Sequence, residues 1–179
     1  FASLQRGLIV ALVVMYALLA TQLRSYVQPL IILMAVPFGA AGAILGHALL
    51  GLDLSFPSFF GMIALAGVVV NASIVLIDRY NQNVASGEDR IEAIAEAASR
   101  RFRPILITTL TTALGLLPIT LEQSQQAQFL VPISVSLGTG LLFASTLILL
   151  LVPAYVMVAE DLRDRKSTRL NSSHTHLSR

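Results

Sequence analysis

The 179-residue chain is 55% hydrophobic and only 12% charged, against roughly 25% charged residues in an ordinary soluble domain, and its mean hydropathy is +0.77. Water is therefore excluded as its main solvent. Its 12 Lys and Arg against 10 Asp and Glu leave a formal charge of +2, but the basic residues flank apolar runs instead of forming a patch of their own, which argues against nucleic acid as a partner. With no Cys, neither a disulfide framework nor a thiolate metal site is available.

The apolar residues gather into five runs, at about 4–21, 27–50, 57–78, 104–121 and 129–158. Each is near the ~20 residues with which a helix crosses a ~30 Å hydrocarbon core. In hydrocarbon every backbone N–H and C=O must be satisfied internally, and a helix does this one span at a time. The runs do not alternate as the strands of a closed barrel would. The expected fold is all-α: a polytopic membrane bundle of five transmembrane helices plus one short amphipathic helix on the cytoplasmic side.

The first run lacks an initiating Met, a basic leader and a small-residue cleavage site, so it does not read as a signal peptide. It reads as a cut through a longer protein. The second run carries Gly39, Gly42 and Gly46, and the Gly42/Gly46 spacing is a small-xxx-small pair that lets helix backbones approach closely in lipid. Gly67 in the third run is assigned the same packing role. His47, near the outer end of the second run, reads as an interfacial or packed residue more readily than as a proton carrier. Pro37 and Pro118 lie inside runs and should kink them; Pro29, Pro57 and Pro104 lie near run starts, where a missing N–H costs little.

The third run contains Asn71, seven residues before Asp78 and so on the same helix face. Polar groups inside a membrane commonly mark an ion or proton path, whereas the plainer reading is an interhelical hydrogen bond worth ~0.6 kcal/mol on average. Both residues are expected to turn into the bundle. After the Ser86-Gly87 turn, residues 88–101 place Ile91, Ile94, Ala95 and Ala98 on one face, which fits either a surface-lying helix or a solvated connector. The fourth run opens on Arg100, Arg101, Arg103 and Pro104 and continues with Thr108, Thr109, Thr111 and Thr112. Threonine hydroxyls bond readily to their own backbone four residues back, and Arg101 either anchors the helix end by snorkelling or holds a partner at the end of a polar stripe shared with Thr108. Met15, Met34, Met62 and Met157 sit on separate runs and form no thioether ladder for soft metal ions. Metal-ligating and catalytic sets are not apparent, so an enzyme is not expected.

Lys and Arg accumulate in short cytoplasmic loops. Arg24, then Arg79, Arg90, Arg100, Arg101 and Arg103, then Arg163, Arg165 and Lys166 all fall on one side, while the opposite connections hold Asp53 and Glu122 but no base. Arg6 alone lies on the wrong side. The C-terminus is accordingly expected in the cytoplasm. The polar stretch 166–179 has no apolar face and is expected to be a disordered tail; it resembles translated sequencing-adapter DNA, and His174 and His176 in it are not taken as a metal site.

Three stretches carry a family resemblance: Val36-Pro37-Phe38-Gly39, Gly61 to Arg79 around Gly67-Val-Val-Val-Asn71, and Arg101 to Pro118 with its paired threonines. From Phe1 to about Arg165 the chain resembles the C-terminal membrane half of the resistance-nodulation-division (RND) transporters, in their hydrophobe/amphiphile efflux branch. That resemblance implies the eighth to twelfth of twelve spans in a bacterial inner membrane, following a large periplasmic domain. It also implies drug/proton antiport powered by the proton-motive force without a cofactor, in a homotrimer that pairs with a periplasmic adaptor and an outer-membrane channel. The family's proton relay joins two Asp of an earlier span to a Lys, an Arg and a Thr of later ones. Arg101 and Thr108 match the last two. Asn71 stands where the best-known members have Lys, so no ammonium balances the acids here, and Ala72 replaces a second Asn often found next. A superfamily member that moves lipids or assists protein secretion, and a passive membrane scaffold, stay open as alternatives.

Overall fold

A computed structural model describes residues 2–125 and 127–175, with side chains at 6, 7, 9–125 and 127–162. Its elements are α1 (Ala2–Leu23), α2 (Val27–Leu50), α3 (Phe56–Ala85), α4 (Arg90–Thr120), a 3₁₀ turn at Ala127–Phe129 and α5 (Val131–Thr175). Helices α2 to α5 are each long and apolar enough to cross a membrane, while the apolar part of α1 resolved in this way is the shorter Ile9–Leu23. The chain is thus a bundle of four to five membrane-type helices, as the hydropathy implies.

Local chemistry ends α2 and begins α3 at the edges of their apolar runs and sets the turn from α3 into α4. Gly51 closes α2 in the left-handed region at φ 68°, a conformation that glycine adopts without a Cβ penalty. Ser55 and Ser58 form a reciprocal capping box at the start of α3, satisfying two of the donors that a helix start leaves open. Asp89 caps α4 by accepting the Ile91 N–H at 3.2 Å. The Ser86-Gly87 turn before it has Gly87 at φ 94°.

Two boundaries differ from the hydropathy reading. Residues 88–101 do not form a helix apart: from Arg90 onward they are continuous with the fourth span, and Pro104 lies inside α4 instead of at its start. The Ala-, Glu- and Arg-rich stretch before Pro104 is strongly helix-forming, and a proline there removes one donor without breaking the rod. The polar tail, expected to be disordered, continues α5 as helix through Thr175. Neither Pro nor Gly interrupts 154–175, and helix hydrogen bonding needs no apolar face. Residues 176–179 lie outside the described ones.

The core is built around α5, on which α2, α3 and α4 all pack, while α1 rests on α2. Ile32, Leu65, Val69, Leu76, Ile77, Ile148 and Val152 are buried there. In lipid the tails are as apolar as the side chains, so close backbone approach and interhelical hydrogen bonds hold the helices together. Glycine provides that approach. A Cβ on Gly61 would lie 2.6 Å from the Ile133 carbonyl oxygen, and one on Gly140 3.0 Å from that of Gly39. Gly42 faces Phe143 and Gly46 faces Thr139, again with no room for a methyl group.

Candidate functional site

Helix periodicity of about 3.6 residues per turn divides α3 into two faces. The inner face carries Gly61, Leu65, Val69, Ser73, Leu76, Tyr80 and Asn83, all buried. The opposite face carries Phe60, Ala64, Gly67, Asn71, Asp78 and Gln82, all exposed. Asn71 and Asp78 do share a face, but it turns away from the core. Asn71 has no hydrogen-bond partner among the described residues, and nothing lies within 4 Å of a Cβ built on Gly67.

Helix α4 has three faces. Thr109 points inward, 5% exposed, and its hydroxyl meets Ser145 Oγ of α5 at 2.6 Å. A second stripe of Ile107, Leu110, Leu114, Leu117 and Leu121 is large, aliphatic and exposed, the composition expected against lipid. A third stripe of Pro104, Thr108, Thr111, Gly115 and Pro118 is equally exposed but small and hydroxyl-bearing. Thr108 donates to the Pro104 carbonyl at 2.8 Å, and Thr111 to those of Ile107 at 2.8 Å and Thr108 at 3.0 Å. Arg101, two turns below Thr108 on the same side, is half-buried.

Asn71, Arg101 and Thr108 are thus each on or beside a polar stripe, and no hydrogen bond or ion pair among the described residues joins them. The expectation that Asn71 and Asp78 turn into the bundle does not hold for this chain, and Thr108 is exposed as well. The interior is filled by α5, and the small-residue stripes of α3 and α4 are left uncovered. Of the glycines assigned to packing, Gly39, Gly42 and Gly46 are buried and Gly67 is exposed.

A polar clasp lies where α3 turns into α4. Asn83, 3% exposed, donates to the Ala93 carbonyl at 3.2 Å and to Glu96 Oε2 at 3.1 Å. Arg100 pairs with Glu96 at 2.5 Å, and Arg90 with Glu160 of α5 at 2.6 Å. Gln28 and Asn81 exchange amide hydrogen bonds of 2.7 and 3.0 Å, tying α2 to the same end of α3. Glu88 Oε2 is shut off from solvent without a partner. Desolvation raises the Glu88 carboxyl above its ordinary range, the neighbouring Glu96 carboxyl adds to the rise, and Arg79 and Arg100 oppose it. Only the Glu96–Arg100 pair, four residues apart on one helix, announces itself in the sequence; the partners joining different helices stand 13, 53 and 70 residues apart.

No group of three or more His, Cys, Asp or Glu among the described residues is arranged to hold a metal ion. Membrane-length helices whose polar residues lie in stripes define a polytopic membrane helix bundle. Residues 2–160 match the profile of the AcrB/AcrD/AcrF family, and the chain belongs to that family of RND transporters. It is 31% identical over 170 residues to multidrug resistance protein MdtC of Pantoea ananatis (strain AJ13355), covering 94% of this chain and 17% of that protein. It is 35% identical over 170 residues to swarming motility protein SwrC of Bacillus subtilis (strain 168), covering 93% and 16%. Among solved structures, a heavy metal efflux pump superposes with a TM-score of 0.78 at 34% identity, over 86% of this chain and 16% of that one. The chain therefore spans about a sixth of the length of these relatives.

Proposed function

We propose that residues 1–165 are the last five membrane helices of a proton-driven efflux pump of the bacterial inner membrane, with the C-terminus in the cytoplasm, and that α3 and α4 supply its proton relay. The observation that carries this reading is the contrast between the two exposed stripes of α4. A face meant for lipid is aliphatic, as the leucine stripe is; a face of Thr, Gly and Pro is suited to a close helix neighbour. The matching stripe of Ala64, Gly67, Asn71 and Asp78 on α3 fits the same kind of neighbour, a helix from elsewhere in the transporter.

Carboxylates on that neighbour would meet Thr108 as hydroxyl donor, Arg101 as cation and Asn71 as neutral amide. Because Asn71 carries no charge, Arg101 supplies the positive charge that balances the carboxylates, and protonation of the acids releases that attraction. Helix shifts then couple the proton to the export of a substrate bound outside the membrane. The proposal includes a homotrimer that works with a periplasmic adaptor and an outer-membrane channel, with the bilayer as solvent and the proton-motive force as the energy source. The stretch 166–179 has no part in it.

Drug export by the intact transporter, measured in cells with matched membrane levels, tests the relay. Arg101→Ala and Thr108→Ala should each lower export by about five-fold or more, the scale of a coupling energy, while insertion is retained. Full activity in both variants removes the roles assigned to them.

A further inference from the structure

The opposite end of the bundle holds a buried imidazole that the relay does not use. His47, in the last turn of α2, is 1% exposed, and Ser58, in the first turn of α3, is 0% exposed. His47 Nδ1 lies 3.0 Å from the Ala43 carbonyl oxygen, and Nε2 lies 2.9 Å from Ser58 Oγ. A carbonyl oxygen only accepts, so Nδ1 carries the hydrogen of the neutral ring, Nε2 is bare, and the Ser58 hydroxyl donates to it. Ser58 Oγ also accepts the Ser55 N–H at 3.1 Å and stands 3.2 Å from Ser55 Oγ. With its own hydrogen engaged on the ring, Ser58 must accept there as well. The chain therefore has one direction, from Ser55 through Ser58 and His47 to the Ala43 carbonyl.

The two ends of this chain differ. Ser55 is half-buried and follows the exposed residues 51–54, so water reaches the first hydroxyl. The Ala43 carbonyl has no proton to pass on. A proton entering at Ser55 Oγ displaces that hydroxyl's hydrogen to Ser58 Oγ, whose own hydrogen moves to Nε2. One O–H bond forms and one breaks at each oxygen, one N–H bond forms, and the imidazolium is held. The surroundings do not balance it. Residues 27–46 of α2, 56–77 of α3 and 131–159 of α5 contain no charged side chain, no carboxylate among the described residues makes an ion pair with His47, and the acids at this end, Asp53 and Glu122, are exposed. The seam here is tight, since Gly46 beside His47 leaves no space against Thr139 of α5.

We propose that His47 is a proton-operated switch on the α2–α3 hairpin, loaded through Ser55 and Ser58. A buried cation without a counterion is strongly unfavourable, and the hairpin relieves it by separating from α5 until water or Asp53 reaches the ring. Since the wire ends on a carbonyl, it senses acidity and does not conduct protons through the bundle. Nothing in this inference depends on Asn71, Arg101 or Thr108, so it stands or falls apart from the relay.

Hydrogen exchange of the full-length protein in lipid nanodiscs, corrected for intrinsic rates, tests it at about pH 8 and about pH 5, the range over which imidazoles change charge. Protection of peptides covering 44–60 should fall about tenfold on acidification in the wild type, and His47→Gln should abolish that response. An equal response in His47→Gln, or none in the wild type, overturns the proposal. If that variant does not fold, imidazole ¹⁵N spectra of the wild type decide: a bare Nε2 at the higher pH that gains a proton at the lower supports the switch, and an Nε2–H neutral tautomer, or a ring that stays neutral, defeats it. Ser58→Ala keeps the ring but cuts the wire, and should slow proton uptake in a pH jump; unchanged uptake removes Ser55 and Ser58 as the path.

Discussion

Glycine is used in two ways in this bundle. Along the α5 seam, Gly42, Gly46, Gly61 and Gly140 sit where a single added carbon would meet a neighbour, whereas at Gly67 and Gly115 nothing lies within 4 Å of that carbon. The first set explains how these helices hold one another. The second set, interleaved with Asn71 on α3 and with Thr108 and Thr111 on α4, has no explanation within the chain. The seam is a finished interface, whereas the polar stripes are open, which is what the proposed neighbour helix would fill.

The contrast is sharpest in substitutions. Gly61→Ala puts a methyl group against the Ile133 carbonyl, a backbone atom that cannot rotate away, and should destabilise the bundle by about 1–3 kcal/mol, read from denaturant unfolding in detergent. Asn83→Ala comes next: it leaves the Ala93 carbonyl and Glu96 without their shared donor and should cost about 1–2 kcal/mol in the same assay. Thr109→Val removes the hydroxyl contact to Ser145 and should cost about 0.6 kcal/mol, the mean for interhelical hydrogen bonds in lipid. Gly67→Ala should leave the stability of these helices unchanged yet lower export by the intact transporter; a loss of stability as large as that of Gly61→Ala would erase the distinction between the two regions.

The clasp adds a pH signature outside the membrane. The folded state raises the Glu88 carboxyl above its unfolded value, chiefly by desolvation and then through Glu96. Folding therefore binds the proton more tightly than unfolding does, and stability falls as pH rises from the ordinary carboxylate range through the raised value. Glu88→Gln should flatten that slope in a series of thermal melts from acid to neutral pH. A slope that survives the substitution would assign it to another group.

Much of this architecture is legible in the sequence because hydrocarbon leaves the backbone so few choices. Runs such as 27–50 can only be helices, and Gly42 with Gly46 marks a close crossing before any partner is known. The seven-residue spacings of Asn71 with Asp78, and of Arg101 with Thr108, place each pair on one face. Which way a face turns is a different matter, since it depends on the helix that occupies the centre. Here that helix is α5, and Asn71 and Thr108 look away from it. The continuity of α4 through Pro104 escapes a reading that places proline at helix starts. His47 and Ser58 are 11 residues apart and Thr109 and Ser145 36, separations at which only the crossing of two helices reveals a contact.

The position of α5 has a consequence for biosynthesis. It is the scaffold on which three earlier helices settle, yet it is the last of these elements to be translated. While α2, α3 and α4 enter the bilayer, the grooves at Gly46 and Gly61 lie open and the Thr109 hydroxyl lacks its serine. Assembly of these helices must therefore wait for α5, and the unfinished surfaces are what a membrane insertase or a protease would meet first.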